Sequence, residues 1–216
     1  MAKLLQGLFG PISGKAGNMV FFTRNGKCYV RSLPRPANKP ATAKQVEQRS
    51  KFGMAVRFAS PFKSMVRETL RSRKPELTGM NILIKDILHH SLAGEYPDQR
   101  IDYSKVRLCR GYIPGVYHPE IRLAATGKLK LDWPADPGMN ALSSDQLIVA
   151  VYRESLNQCW YDLRTGVSRC QGTCTVSIPR SFSSRETHVW IAFRSAERAL
   201  YSDSQYLGTL FNKSNR

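Results

Sequence analysis

Acidic residues are nearly missing from the first third of this chain. Ahead of residue 76 only Glu47 and Glu68 stand against 16 lysines and arginines, a net +14. The rest of the 216 residues holds 17 basic against 14 acidic side chains, a net +3. Close cysteine pairs are missing as well. Cys28, Cys109, Cys159, Cys170 and Cys174 are odd in number and scattered, whereas a structural zinc site shows two close pairs of Cys or His. Reduced thiols acting as small apolar side chains are expected, although Cys159, Cys170 and Cys174 lie near one another and would pair in an oxidising environment.

Long apolar runs are absent, and nothing approaches the roughly 18 residues of a membrane span. The start of the chain carries one lysine and a short apolar patch broken by Gln6, Gly7 and Pro11. A secretory signal needs a continuous apolar run of about 7–15 residues. The expected compartment is therefore the cytosol, with no membrane partner. Catalytic motifs are lacking too: there is no Gly-x-Ser-x-Gly elbow, no phosphate loop and no His-Glu-x-x-His. His89 and His90 are adjacent, so on a helix they point about 100° apart and do not converge on one metal ion. His118 and His188 are distant in sequence, and the acidic residues are few and dispersed, which counts against a two-metal nuclease or a glycosidase dyad. The chain reads as a non-enzyme without metal or cofactor.

What is present begins with a hairpin. Met19–Arg24 and Lys27–Ser32 are strand-like runs flanking Asn25-Gly26, a pair that accepts the positive φ of a type I′ turn. Glycines upstream punctuate a loop with room for one more short strand. Pro34, Pro36 and Pro40 make the next segment an extended basic connector. Thr42, followed three residues later by Gln45, forms a capping box that opens a helix. Phe52, Ala55, Ala59, Phe62, Val66 and Leu70 mark its apolar face, and Pro61 makes Thr42–Ser72 either one bent helix or two abutting ones. A second helix is expected over Gly79–Leu92, packed on the first, and a strand pair across Arg100–Tyr112.

From about residue 118 the texture changes to short alternating strands, at Leu129–Trp133, Gln146–Arg153, Gln158–Asp162, Thr173–Ile178, His188–Arg194 and Ala199–Leu207. The expected class is α+β: an N-terminal β-hairpin plus helices over 1–117, then an immunoglobulin- or fibronectin-like antiparallel β-sandwich over 118–210, and a fraying tail at 211–216. Trp133, Tyr152, Trp160 and Trp190 are expected to fill the sandwich core.

The basic residues interleave with aromatics in the first third. Lys15, Arg24, Lys27, Arg31, Arg35 and Lys39 lie on the hairpin and connector; Arg49, Arg57, Lys63, Arg67, Arg71 and Lys74 lie on the helix. On a continuous helix Arg49, Lys63, Arg67, Arg71 and Lys74 fall within about 80° of one another, with Arg57 just outside. Such a stripe neutralises phosphates and releases condensed counterions. Phe21, Phe22 and Tyr29 stack on exposed bases only where they face outward, and half of a hairpin's side chains should face a core.

Several runs carry a family likeness. They are Gly10 to Asn18, Gly26 to Ser32, Asn38 to Gln45, Gln48 to Phe52, Ile101 to Val106 and Tyr206-Leu207-Gly208. Together they resemble a bacterial family whose function is unknown, over most of the chain. The N-terminal half is also similar to uncharacterised phage-type proteins. The chain departs from the pattern in its extra cysteines and denser arginines, and the resemblance implies no activity and no catalytic residues.

The sequence therefore points to a non-enzymatic protein binding the phosphate backbone of nucleic acid, DNA or RNA, with little sequence preference. Its sandwich would contact another protein or a second copy. The alternative is a structural subunit of a phage-derived or cell-surface assembly, with the basic region docked on an acidic neighbour.

Overall fold

The structure, a computed structural model, describes residues 3–4, 12–24, 26–34, 40–71, 77–125, 127–136, 138–183, 186–197 and 200–210. The chain forms two compact units, Met1–Thr42 and Ala43–Arg216. The first unit is one antiparallel sheet of β1 (Lys3–Leu4), β2 (Ile12–Ala16), β3 (Met19–Arg24) and β4 (Lys27–Ser32), in that order. The expected hairpin is present. Arg24 faces Lys27, Phe22 faces Tyr29 and Val20 faces Arg31, and Gly26 takes the positive φ of 75° that the turn demands. Asn25 lies outside the described residues. Gly17, at φ 55°, turns β2 into β3, so the upstream strand is real.

In the second unit α1 (Ala43–Ala59) runs into a 3₁₀ turn at Ser60–Phe62 and then α2 (Lys63–Thr69). Pro61 sits in the first turn of the 3₁₀ segment, where its missing N–H costs nothing. The stretch is thus two abutting helices. It ends at Thr69 and not at Ser72, because Leu70 leaves helical geometry at ψ 70°. Its buried face is Ala55, Phe58, Ala59, Phe62, Met65, Val66 and Leu70. Phe52, expected on that face, is half exposed; Phe58 occupies the core in its stead. Thr78 caps α3 (Gly79–Asp86), its Oγ1 accepting from the Asn81 N–H at 3.3 Å. A π-helical turn over Ile87–Ser91 completes the expected second helix. Gly79 packs so tightly on α2 that an added Cβ would lie 1.9 Å from the Val66 carbonyl oxygen.

The strand pair expected across Arg100–Tyr112 does not form. Only β5 (Leu92–Ala93) and β6 (Arg100–Ile101) pair there, and Tyr103–Lys105 is a 3₁₀ turn. Val106 and Leu108 are buried from irregular backbone, so an alternating apolar pattern marks a core lining here and not a strand.

Seven strands follow: β7 (Glu120–Ala125), β8 (Lys128–Asp132), β9 (Gln146–Arg153), β10 (Gln158–Asp162), β11 (Thr173–Ser177), β12 (Thr187–Arg194) and β13 (Gln205–Thr209). The last begins later than the expected Ala199; Tyr201 and Ser202 make only isolated bridges. They build two antiparallel sheets, β10-β9-β12-β13 and β11-β8-β7. Leu129, Leu131, Cys174 and Val176 of the smaller sheet share one hydrophobic cluster with Leu147, Val149, Val151, Val189, Ile191 and Phe193 of the larger.

The other face of the larger sheet is buried as well. Ile148, Ala150, Tyr152, Trp190 and Ala192 pack with Phe58, Phe62 and Leu83 of the helical layer. Hence β9 and β12 read as nearly unbroken apolar runs instead of alternating ones. Tyr152 and Trp190 therefore lie under the helices and not between the sheets, where Trp133 and part-buried Trp160 do lie. The fold is α+β, and the second unit has three layers: helices, a four-stranded sheet and a three-stranded sheet. Residue 118, the expected boundary, falls inside that unit.

Candidate nucleic-acid interface

Cross-strand register decides where the basic side chains of the first unit stand. Residues directly opposite share a face, and alternate residues on one strand share it too. Val20 faces both Lys15 and Arg31, Phe22 faces Tyr29, and Arg24 faces Lys27. Lys15, Arg24, Lys27 and Arg31 therefore occupy one face together with Phe22 and Tyr29, and all four cations are exposed. The Phe22 and Tyr29 rings stack at 5.5 Å between centroids and 19° between planes. The Arg31 guanidinium carbon lies 5.8 Å from the Phe22 centroid. Phe21 belongs to the opposite, uncharged face with Met19, Cys28 and Val30. Arg35 and Lys39 lie outside the described residues.

In the second unit Arg49 and Arg57 stand on α1, Lys63 and Arg67 on α2, and Arg71 just past the helix end; all are exposed. Lys74 lies outside the described residues. By angular position the four cations on the helices keep to the arc expected from Arg49 onward. The 3₁₀ turn advances each residue by about 120° instead of 100°, an offset of about 60° across Pro61 that leaves Arg49, Lys63, Arg67 and Arg57 within about 80° of one another. Arg71 follows Leu70 out of the helix altogether. The basic residues on the helices of this unit are four cations on one arc, with Arg71 beyond the helix end.

Among the described residues none of Lys15, Arg24, Lys27, Arg31, Arg49, Arg57, Lys63, Arg67 and Arg71 stands within 4.0 Å of a carboxylate oxygen. This lack of a counter-charge is shared with Lys44, Lys85, Arg100, Arg110, Lys128, Arg164 and Arg180, which are also exposed and outside every ion pair among the described residues. The two carboxylates of the first third are engaged elsewhere: Glu47 accepts from Lys51 at 2.6 Å, and Tyr201 Oη donates to Glu68 at 3.5 Å. Further along the chain Lys105, Arg107, Arg122, Lys130 and Arg169 each pair with an acid. Exposed cations without counter-charges are groups that an external polyanion can neutralise at small desolvation cost.

The remaining titratable groups form no reactive cluster among the described residues, where no set of three His, Cys, Asp or Glu is placed to hold a metal ion. His89 and His90 are exposed with ring centroids 6.1 Å apart. His188 is buried, its Nδ1 2.8 Å from Tyr206 Oη, and desolvation holds its pKa down at about 4. All five cysteines are free thiols. Burial raises Cys109 to about 12 and Cys159 to about 11, far from thiolate chemistry at neutral pH.

Sequence reasoning named the cations and missed their grouping. The two-residue turn at Asn25-Gly26 dictates the pairings 24–27, 22–29 and 20–31, so the one-sided charge was readable from it. Nothing in the sequence marked the π turn, and Pro61 marked a break without showing that it is a 3₁₀ turn.

A family model described as a family of unknown function, DUF6266, matches residues 11–208. No curated protein matches the chain.

Proposed function

We propose a role for a chain that belongs to DUF6266, a family of unknown function: it is a non-enzymatic protein that binds the phosphate backbone of nucleic acid with little sequence preference. The observation that carries this reading is the one-sided placement of Lys15, Arg24, Lys27 and Arg31 on the sheet of the first unit, together with exposed Arg49, Arg57, Lys63, Arg67 and Arg71 in the second, none of them within 4.0 Å of a carboxylate among the described residues. A surface kept clear of carboxylates repels itself, at a cost in stability, and that cost is offset when phosphates replace the missing counter-charges. DNA and RNA present the same backbone charge, so the proposal covers both.

The two packed sheets support a finer structural reading, an immunoglobulin- or fibronectin-type sandwich serving as a contact module for a protein or a second copy. Lettered A to G in chain order, the strands form A-B-E and a second sheet in which the fourth strand sits beside C. Sandwiches of this wider class place their C′ strand there.

A second reading has its own observation. The uncharged face of the first unit exposes Met19 at 53% and Val30 at 56%, apolar area of a kind that protein contacts cover. It favours a structural subunit of a phage-derived or cell-surface assembly, docked through the basic face on an acidic neighbour.

Salt titration separates the two. If six phosphates are contacted, log K falls against log salt with a slope near about −5. Self-assembly by light scattering without nucleic acid, together with no gel shift at low salt, overturns the backbone reading in favour of the subunit.

A further inference from the structure

We infer that the N-terminal sheet is a single-strand platform: unpaired bases stack on Phe22 and Tyr29 while Lys15, Arg24, Lys27 and Arg31 hold the flanking phosphates. This rests on the backbone-binding reading above and adds which form of nucleic acid the first unit selects.

The placement of the aromatic pair carries the inference. Phe22 and Tyr29 sit directly opposite one another on adjacent strands, nearly parallel at 19°, and remain 37% and 44% exposed. Cations bracket them along the strand axis. Arg24 and Lys27 stand two residues to one side; Arg31 and Lys15 stand two residues to the other, each step being about 7 Å. A nucleotide strand crossing this face meets cation, aromatic and cation in turn, which is how phosphate and base alternate along it.

The sorting of side chains is also chemical. No acidic residue precedes Glu47 in the chain, and among the described residues of β2, β3 and β4 the opposite face carries no charge. A sheet that needed cations only for solubility would distribute them over both faces. Here every one shares the face that holds the stacked rings, and one of them, Arg31, already lies over Phe22 at 5.8 Å. Duplex bases have their π-faces covered by their neighbours and offer nothing to such a pair. Bases of a single strand do, whatever their identity.

The test uses the full chain and fluorescence anisotropy at one fixed salt concentration. The probes are labelled oligothymidine, oligouridine of equal length, and a duplex of that length. The inference predicts that both single strands bind roughly tenfold or more tightly than the duplex, and comparison of the two shows whether DNA or RNA is preferred. In the Phe22→Leu/Tyr29→Leu double variant single-strand affinity falls roughly tenfold while duplex affinity stays put. Phe22→Tyr retains binding, and Phe21→Leu, on the opposite face, leaves it unchanged. Circular dichroism checks that each variant is folded. Equal affinity for duplex and single strand, or an unchanged double variant, overturns the platform and leaves backbone binding standing. Failure to bind any of the probes at low salt overturns both.

Discussion

Arg169 and Asp145 are both buried, and the arginine Nε stands 3.6 Å from the aspartate Oδ2. The guanidinium is held by other means as well: Nη1 donates to the Gly115 carbonyl at 2.9 Å and Nη2 to the Pro114 carbonyl at 2.7 Å. Its carbon lies 4.0 Å from the Phe193 ring centroid. Desolvation pulls the Arg169 pKa down and the Asp145 charge pushes it back up. This cation thus belongs to the core and clips the Pro114–Val116 segment to the sheets, unlike the surface cations proposed to meet phosphate.

Removing one partner of such a pair leaves the other charge buried alone. Arg169→Ala is expected to lower unfolding stability by about 3–5 kcal/mol, and Asp145→Asn by a comparable amount. Urea unfolding followed by tryptophan fluorescence measures both. A loss under about 1 kcal/mol in Asp145→Asn, with a large one in Arg169→Ala, would show that the carbonyl contacts hold the clip without the ion pair.

Two glycines on the helical layer should respond to alanine in opposite directions. At Gly79 the new Cβ meets the Val66 carbonyl at 1.9 Å, backbone that cannot step aside without moving α2. Gly79→Ala is expected to cost about 1–3 kcal/mol by overpacking. Gly53, inside α1 and exposed, has nothing within 4 Å of the same added atom. Gly53→Ala should stabilise by up to about 1 kcal/mol through helix propensity. Paired thermal melts of the two variants check the contrast.

Local signals in the sequence were sound and layer assignment was not. The hairpin, the Pro61 break and the second helix follow from short-range rules about turn residues, caps and proline, which act over a few positions. Where the helices dock depends on which faces of the sheets are left apolar. The run Leu147–Tyr152 is apolar at every position, which signals burial on both faces, and it was read as one side of a sandwich. Tyr152 and Trp190 were misplaced for that reason. Phe52 and Phe58 both fit a helical period, and only the neighbouring sheet selects Phe58. For the site, the charge imbalance was legible and the departure of Arg71 from the helix after Thr69 was not, because no proline or glycine marks that end.

His188 ties stability to pH. Its ring lies 3.9 Å from that of Tyr103, its Nδ1 bonds Tyr206, and the nearest carboxylate, Glu154, is 4.0 Å from Nε2. Burial lowers its pKa from 6.5 to about 4, so the unfolded chain takes up the proton first. Above pH 6.5 the residue contributes no pH dependence. As pH falls from 6.5 towards 4 stability declines, by at most about 3 kcal/mol. His188→Gln should flatten that segment of the stability profile, whatever it does to stability at pH 8. An unchanged slope would place the titration elsewhere.

The cations of the helical layer offer a test in which stability and binding part company. Arg67 and Arg71 are exposed and stand outside every ion pair among the described residues, so stability should move by no more than about 0.5 kcal/mol on charge reversal there. If both touch phosphate, the magnitude of the salt slope falls by about 2, at roughly 0.9 per contact. Arg107 is the opposite kind of arginine, paired with Asp86 at 2.8 Å and with Asp203 at 4.0 Å. Arg107→Ala should lower stability and leave the slope alone, because its charge is already answered within the fold. Measured by anisotropy over a salt series, the Arg67→Glu/Arg71→Glu pair separates a phosphate surface from a merely solvated one. A slope that does not change would remove α2 from the interface and leave the sheet of the first unit to carry binding by itself.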